Sequence, residues 1–268
     1  MAAKASMLWF VDSDDPVTDI RRGLNNDPHQ AQHLVQQLVG DGVVVDEGPC
    51  SLADADGLPD DNVIAGVYGR LAVICGRAVA TDRPSEFTDT RLRLRPTAVA
   101  VLLHTDPVDS FGAFARWENG ALRRSFAADP VDIREDEGLP YPFERGFWAG
   151  EHPLQYAEGV PHDPQALPFH PQEFAEQSTR DWLGFRFTRP LGPDDADPRD
   201  IPATRFAIRP PGWQPPPEPE RQTEPVSAAT EPARHPEVRP EPGQPEAPAG
   251  NRVARWFGFA PKSESHES

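Results

Sequence analysis

Apolar residues along the first two hundred positions fall into short runs whose period changes from stretch to stretch. SMLWFV (6–11) is continuous and ends on the acidic run DSDD, which predicts a buried strand closed by a turn. In PHQAQHLVQQLV (28–39), Leu34, Val35 and Leu38 share one helical face with Ala31 beside them. Asp27 suits the N-cap of that helix, Pro28 its first turn and Gly40 its stop. GVVVD (42–46) predicts a second strand, so strand, helix and strand follow in the order of a βαβ opening. Residues 63–68 and 71–75 predict strands, 77–80 a short third, and AVAVLLH (98–104) a central one.

The sharpest local signal is FGAFARWE-NG-ALRRSF (111–126). Asn-Gly between two alternating runs predicts a hairpin, because both central positions of a type I′ turn need positive φ. Phe114, Arg116 and Glu118 then share one face and Ala113, Ala115 and Trp117 the other. Residues 130–171 are irregular and proline-rich but too apolar for a solvated linker, and predict a structured loop region wrapping the domain. A helix over 171–185, with Phe174, Trp182 and Leu183 inward, and an edge strand over 204–208 complete the pattern. The expected fold is a single α+β or α/β domain, residues 1–212, with a mixed β-sheet and few helices.

Composition changes the picture at the C-terminal end. Of the 33 prolines, 12 lie in residues 213–268, a segment with no Leu, Ile or Met. Such a segment cannot bury enough apolar surface to offset backbone ordering, about 1–2 kcal/mol per residue, and is expected to be disordered. Within it, 213–251 reads as a Pro/Glu-rich spacer and 263–268 as a disordered terminus. Residues 252–262 differ: Arg252, Arg255 and Lys262 bring three positive charges and no negative one, and Trp256, Phe257 and Phe259 three aromatics. That island is expected to be a short linear motif for a protein partner or an anionic membrane surface, or a latch onto the acidic domain.

The formal charge is −17, of which the tail's 6 basic and 9 acidic residues account for −3. A domain near −14 repels phosphate backbones, so nucleic acid is not an expected partner. Two cysteines give no disulfide framework, and Cys75, inside LAVIC, reads as a buried thiol. The apolar run 5–11 is too short for a signal peptide, and no run approaches the ~20 apolar residues of a membrane span. A cytoplasmic protein is expected.

Four polar clusters carry candidate chemistry. Asp12 and Asp14 follow the first strand at the Asp-x-Asp spacing that resembles the haloacid-dehalogenase phosphatases, without their Thr-Gly context or a convincing downstream lysine. A solvated turn with Asp15 capping a helix from Pro16 accounts for the same residues. His152 and His170, in GFWAGEHP and LPFHP, would form a metal or general-base site beside Glu151 if their loops converge; the plainer reading has each imidazole fixing its loop. His104 and Asp106, with Asp109, end the apolar strand and would join Asp12 and Asp14 in one cleft if the two strands ran parallel. Asp82-Arg83-Pro84-Ser85 reads as an anion site at a helix start or as a capped turn. No Gly-rich phosphate loop, serine nucleophile elbow or CxxC pair is present in the sequence, and no cofactor is expected.

AKASMLWFVDSD (3–14), WAGEHP (148–153) and LPFHP (167–171) resemble segments of an uncharacterised domain family found in actinobacteria. The resemblance spans roughly residues 1–210 and implies a bacterial cytosolic protein without supplying an activity. The leading expectation is a non-enzymatic interaction or adaptor protein tethered through 252–262. The alternative is a metal-dependent hydrolase, phosphatase-like, using Asp12 and Asp14, with His104 or His152, and a divalent metal.

Overall fold

A computed structural model describes residues 3–87, 89–154 and 164–215, and the contacts of this region form one compact unit, Met1–Pro216. The spacer beyond 215 and the island 252–262 lie outside the described residues. The strands are β1 Ala5–Val11, β2 Val43–Ser51, β3 Asn62–Tyr68, β4 Leu71–Cys75, β5 Val99–Asp106, β6 Phe111–Glu118, β7 Ala121–Ala128, β8 Ile133–Gly138 and β9 Pro202–Arg209. The helices are α1 Pro16–Arg21, α2 Pro28–Val39, α3 Asp89–Leu92, α4 Glu144–Trp148 and α5 Pro171–Leu183.

All nine strands join one sheet in the order β2-β9-β3-β4-β1-β5-β6-β7-β8. Every pairing between these strands is antiparallel, so among the described residues the expected mixed sheet is corrected to an antiparallel one. The βαβ opening is also corrected: β2 goes to the sheet's far edge, where among the described residues it pairs with β9 alone. The fold is mostly sheet with few helices, which supports the α+β label only loosely and the α/β label less.

The sheet is covered on both faces. Met7, Trp9, Val11, Val73, Leu103, Phe114 and Phe126 point to one face, against Phe147 of α4 and Phe174, Trp182 and Leu183 of α5. Leu8, Phe10, Ala65, Ile74, Leu102 and Trp117 point to the other, against Ala31, Leu34 and Val35 of α2. Burying one such side chain contributes about 1.5–3 kcal/mol. Two-sided burial is why LAVIC and VAVLLH are continuous rather than alternating. α2 has the expected ends: Asp27 Oδ1 accepts from His29 N and Gln30 N at 3.1 and 3.0 Å, and Gly40 closes it.

The β6–β7 hairpin turns on Asn119 and Gly120, with φ of 52° and 78°. Other expectations move. Residues 77–79 form a 3-10 turn rather than a strand. β9 lies inside the sheet, between β2 and β3, rather than at its edge. The irregular stretch after 130 holds an edge strand, β8, and α4.

Arg124 shows how β8 and α4 are fixed. Its guanidinium is 0% exposed, and Glu144, equally buried, receives two bonds from it at 2.9 and 2.7 Å. Asp136 and the carbonyls of Ser125 and Glu137 all accept from its Nη1.

Candidate functional site

The acidic turn after β1 is a clasp. Asp12 Oδ1 accepts from Ala98 N at 2.7 Å, at the start of β5. Asp14 pairs with Arg70 of the β3–β4 turn at 3.2 Å, and Arg70 also donates to the Asp12 carbonyl. Asp15 caps α1 through Thr18 N at 3.1 Å, the solvated-turn reading of this segment.

The condition for a shared cleft fails. β1 and β5 are antiparallel, with Ser6 opposite His104 and Val11 opposite Val99. At ~3.4 Å per residue, Asp12 and His104 lie about 20 Å apart along the strands. Metal–ligand bonds are only ~2.0–2.6 Å long, so these residues do not form one metal site. His104 shares the face of Leu102, whereas His152 stacks on Phe147 across the sheet. Among the described residues, no group of three or more His, Cys, Asp or Glu is placed to hold a metal ion.

His104 instead sits at the other end of β1, with its Nδ1 2.7 Å from Ser6 Oγ and its ring 5.4 Å from Phe111. It lines a cleft of about 420 Å³ with Lys4, Arg77, Asp82 and Asp106. Lys4 and Asp106 pair at 3.0 Å. Burial pushes the His104 pKa below its ordinary value, so the ring is neutral near pH 7. The Asp82–Ser85 segment holds a turn rather than an anion: Ser85 N and Oγ donate to Glu135 at 2.9 and 2.7 Å.

The two His-Pro loops do converge. After α4 the chain winds on, with Gly150 N donating to Phe147 O at 3.0 Å and Glu151 N to Gly146 O at 2.9 Å. Gly146 leaves room for its neighbours: a Cβ there would meet Glu151 Oε2 at 3.0 Å and His152 Nε2 at 3.4 Å. His152 is held flat on Phe147, with centroids 3.9 Å and planes 10° apart. On the other loop, Leu167 N donates to Pro130 O at 2.8 Å, and Phe169 is buried among Phe147, Trp148 and Phe174. That anchor puts His170 at the N-cap of α5. The loops are thus fixed by backbone bonds and aromatic packing, leaving both imidazoles facing a cleft of about 730 Å³.

Glu151, His152, His170, Gln172, Glu173 and Arg189 line this cleft. Thr188 and Arg189 form its far wall, tied to α5 by the buried Glu176, which accepts from Phe187 N at 3.1 Å, Thr188 N at 2.7 Å and Thr188 Oγ1 at 2.9 Å. Arg189 donates to Asp197 at 2.8 and 2.9 Å. Arg199 and Arg189 hold that carboxyl well below the usual range. Burial lowers the His170 pKa against the opposing effect of Glu173. Sequence reasoning found the two histidines and Glu151 and missed Gln172, Thr188 and Arg189. Pro171, a helix-start signal directly after His170, was the available clue to Gln172.

Residues 5–206 match a family of unknown function, DUF6928, and the chain belongs to it. Neither the curated proteins nor the solved structures contain a match to the chain.

Proposed function

We propose that this member of the family is a non-enzymatic interaction protein, in which the domain is tethered to a partner through Arg252, Arg255, Trp256, Phe257, Phe259 and Lys262. The observation that carries the reading is the island itself: three cations and three aromatics within eleven residues, in a tail otherwise polar and rich in Glu and Pro. Exposed aromatics invite association, and a basic-aromatic cluster suits a groove with an acidic rim or an anionic membrane surface. The domain supports it from the other side. Asp12 and Asp14, the two carboxylates on which a hydrolase reading depends, are engaged in joining β1 to the β3–β4 turn and β5.

No helix among the described residues is long and apolar enough to cross a membrane. Cys50 and Cys75 are both free, which fits a reducing, cytoplasmic setting. Full-length protein and a form lacking residues 250–268 test the reading in parallel pull-downs and in flotation with anionic vesicles. Loss of a bound protein, or of vesicle binding, on deletion supports the tether. Identical partners and identical flotation for the two forms would overturn it.

A further inference from the structure

Ser6 is the single polar residue of β1, ASMLWFV, and it sits directly opposite His104 on the neighbouring strand β5. Opposite residues of an antiparallel pair put their side chains on one face, and here the Ser6 Oγ lies 2.7 Å from His104 Nδ1. Both residues are half-buried, and both line the cleft of about 420 Å³ at this end of the sheet. A hydroxyl within hydrogen-bond reach of a neutral imidazole, at the wall of an open cleft, is the arrangement that turns a serine into a nucleophile.

The surroundings suit the proton transfer. Burial keeps the His104 ring neutral at rest, and Lys4 acts in the same direction, while the Ala5 carbonyl, Asp106 and Asp82 act in the other. The ring can therefore accept the hydroxyl proton, and the imidazolium so formed has a carbonyl and two carboxylates to stabilise it. Lys4 and Arg77 bring positive charge to the same cleft, where a carbonyl oxygen turning negative needs it.

The lining also selects the class of molecule. Among the described lining residues, Asp60, Asp82 and Asp106 outnumber Lys4 and Arg77, which are paired with Asp106 and Asp60. A phosphoryl donor, with several negative charges, is disfavoured there. Ala55, Leu58 and Ala80 offer an apolar wall to a short acyl chain.

We infer that Ser6 is an acyl-acceptor site, with His104 as its general base and an uncharged ester or thioester as the donor. Ser6 Oγ bonds to the donor's carbonyl carbon as its proton passes to His104 Nδ1. The carbon then releases its alcohol or thiol, which takes that proton. Ser6 is left as an ester and His104 returns to the neutral form. The transfer ends on the chain, so it modifies the domain and does not turn over. It goes beyond the tether and is independent of the tail.

Full-length protein treated with p-nitrophenyl acetate tests the inference, with peptide mass spectrometry to place the acetyl group and p-nitrophenol release to count it. One equivalent should be released, and the acetyl group should be found on Ser6. Ser6→Ala should lose that adduct, and His104→Asn should form it about 100-fold more slowly, the scale of general-base assistance. The wild-type rate should be level between pH 7 and pH 8, where His104 is already neutral, and fall only below about pH 6.5. No adduct on Ser6, an equal rate in His104→Asn, or a rate still climbing through pH 8 would overturn the site. Release well beyond one equivalent would overturn the acceptor reading in favour of hydrolysis.

Discussion

Replacing Gly112 by alanine would put a methyl group where β6 meets the start of α5. A Cβ on Gly112 would lie 2.2 Å from Pro171 O, 2.5 Å from Pro171 C and 2.8 Å from Gln172 N. All three are backbone atoms, so no rotamer change relieves the clash. Reaching an ordinary 3.4 Å contact requires α5 to retreat by about 1.2 Å, the difference between 3.4 and 2.2 Å. A gap of that size at Phe174, which packs on Phe114, Phe126 and Phe169, forfeits a quarter to a half of each affected contact. Overpacking of this kind costs about 1–3 kcal/mol, and the direct backbone conflict places Gly112→Ala near ~3 kcal/mol. For a domain of this size that is a fall in Tm of roughly 6–12 °C. Urea denaturation of full-length protein followed by tryptophan fluorescence measures the free-energy loss, since Trp148 packs on the displaced helix and Trp182 belongs to it. Gly120→Ala is the control: open space surrounds it, but φ is +78°, so it costs ~1 kcal/mol through strain without moving α5. Gly112→Ala within 0.5 kcal/mol of wild type would refute the claim that β6 and α5 are in backbone contact.

Two other consequences are as direct. Glu144→Leu leaves the Arg124 guanidinium buried without its main partner and should cost about 3–5 kcal/mol, whereas Arg124→Met/Glu144→Leu should recover much of it; a double-mutant cycle in which the double variant is no better than Glu144→Leu contradicts this. His104 has a folded pKa depressed by burial, so its contribution to stability is present above about pH 6.5 and declines as pH falls through that value toward the folded pKa. His170 acts in the same direction. The urea midpoint should therefore fall between pH 7.5 and pH 5, and fall less in His104→Asn; equal slopes for the two proteins would count against a buried neutral imidazole.

Some of this was legible in the chain. The helix of residues 28–39 was readable because period, cap and stop agree over twelve positions. The 111–126 hairpin was readable because only a few residue types accept the positive φ of its turn. Strand direction was not. Continuous runs such as LAVIC report burial on both faces, a condition that parallel sheets share with this antiparallel one. Direction depends on which distant strand is the partner, and no local residue encodes that. The inward position of 202–209 was hidden for the same reason: its alternation looks like an edge strand until β2 is found beyond it.

The candidate sites divide along the same line. The sequence by itself determined which residue types are available: an acidic turn, two His-Pro loops, an acidic domain and a basic-aromatic island. Each is a local property of a few neighbouring residues. Only the tertiary structure decided which of them meet. Antiparallel pairing of β1 with β5 carried Asp12 and His104 to opposite ends of the strands, because reversing a strand exchanges its ends. Burial of Phe147 and Phe169 in one aromatic cluster drew the loops of His152 and His170 together, since packing joins residues by shape and surface whatever their separation along the chain. The Nε2 of Gln172, buried with no hydrogen-bond partner among the described residues, is likewise invisible in one dimension: a glutamine in a helix has water for a partner until the fold removes it.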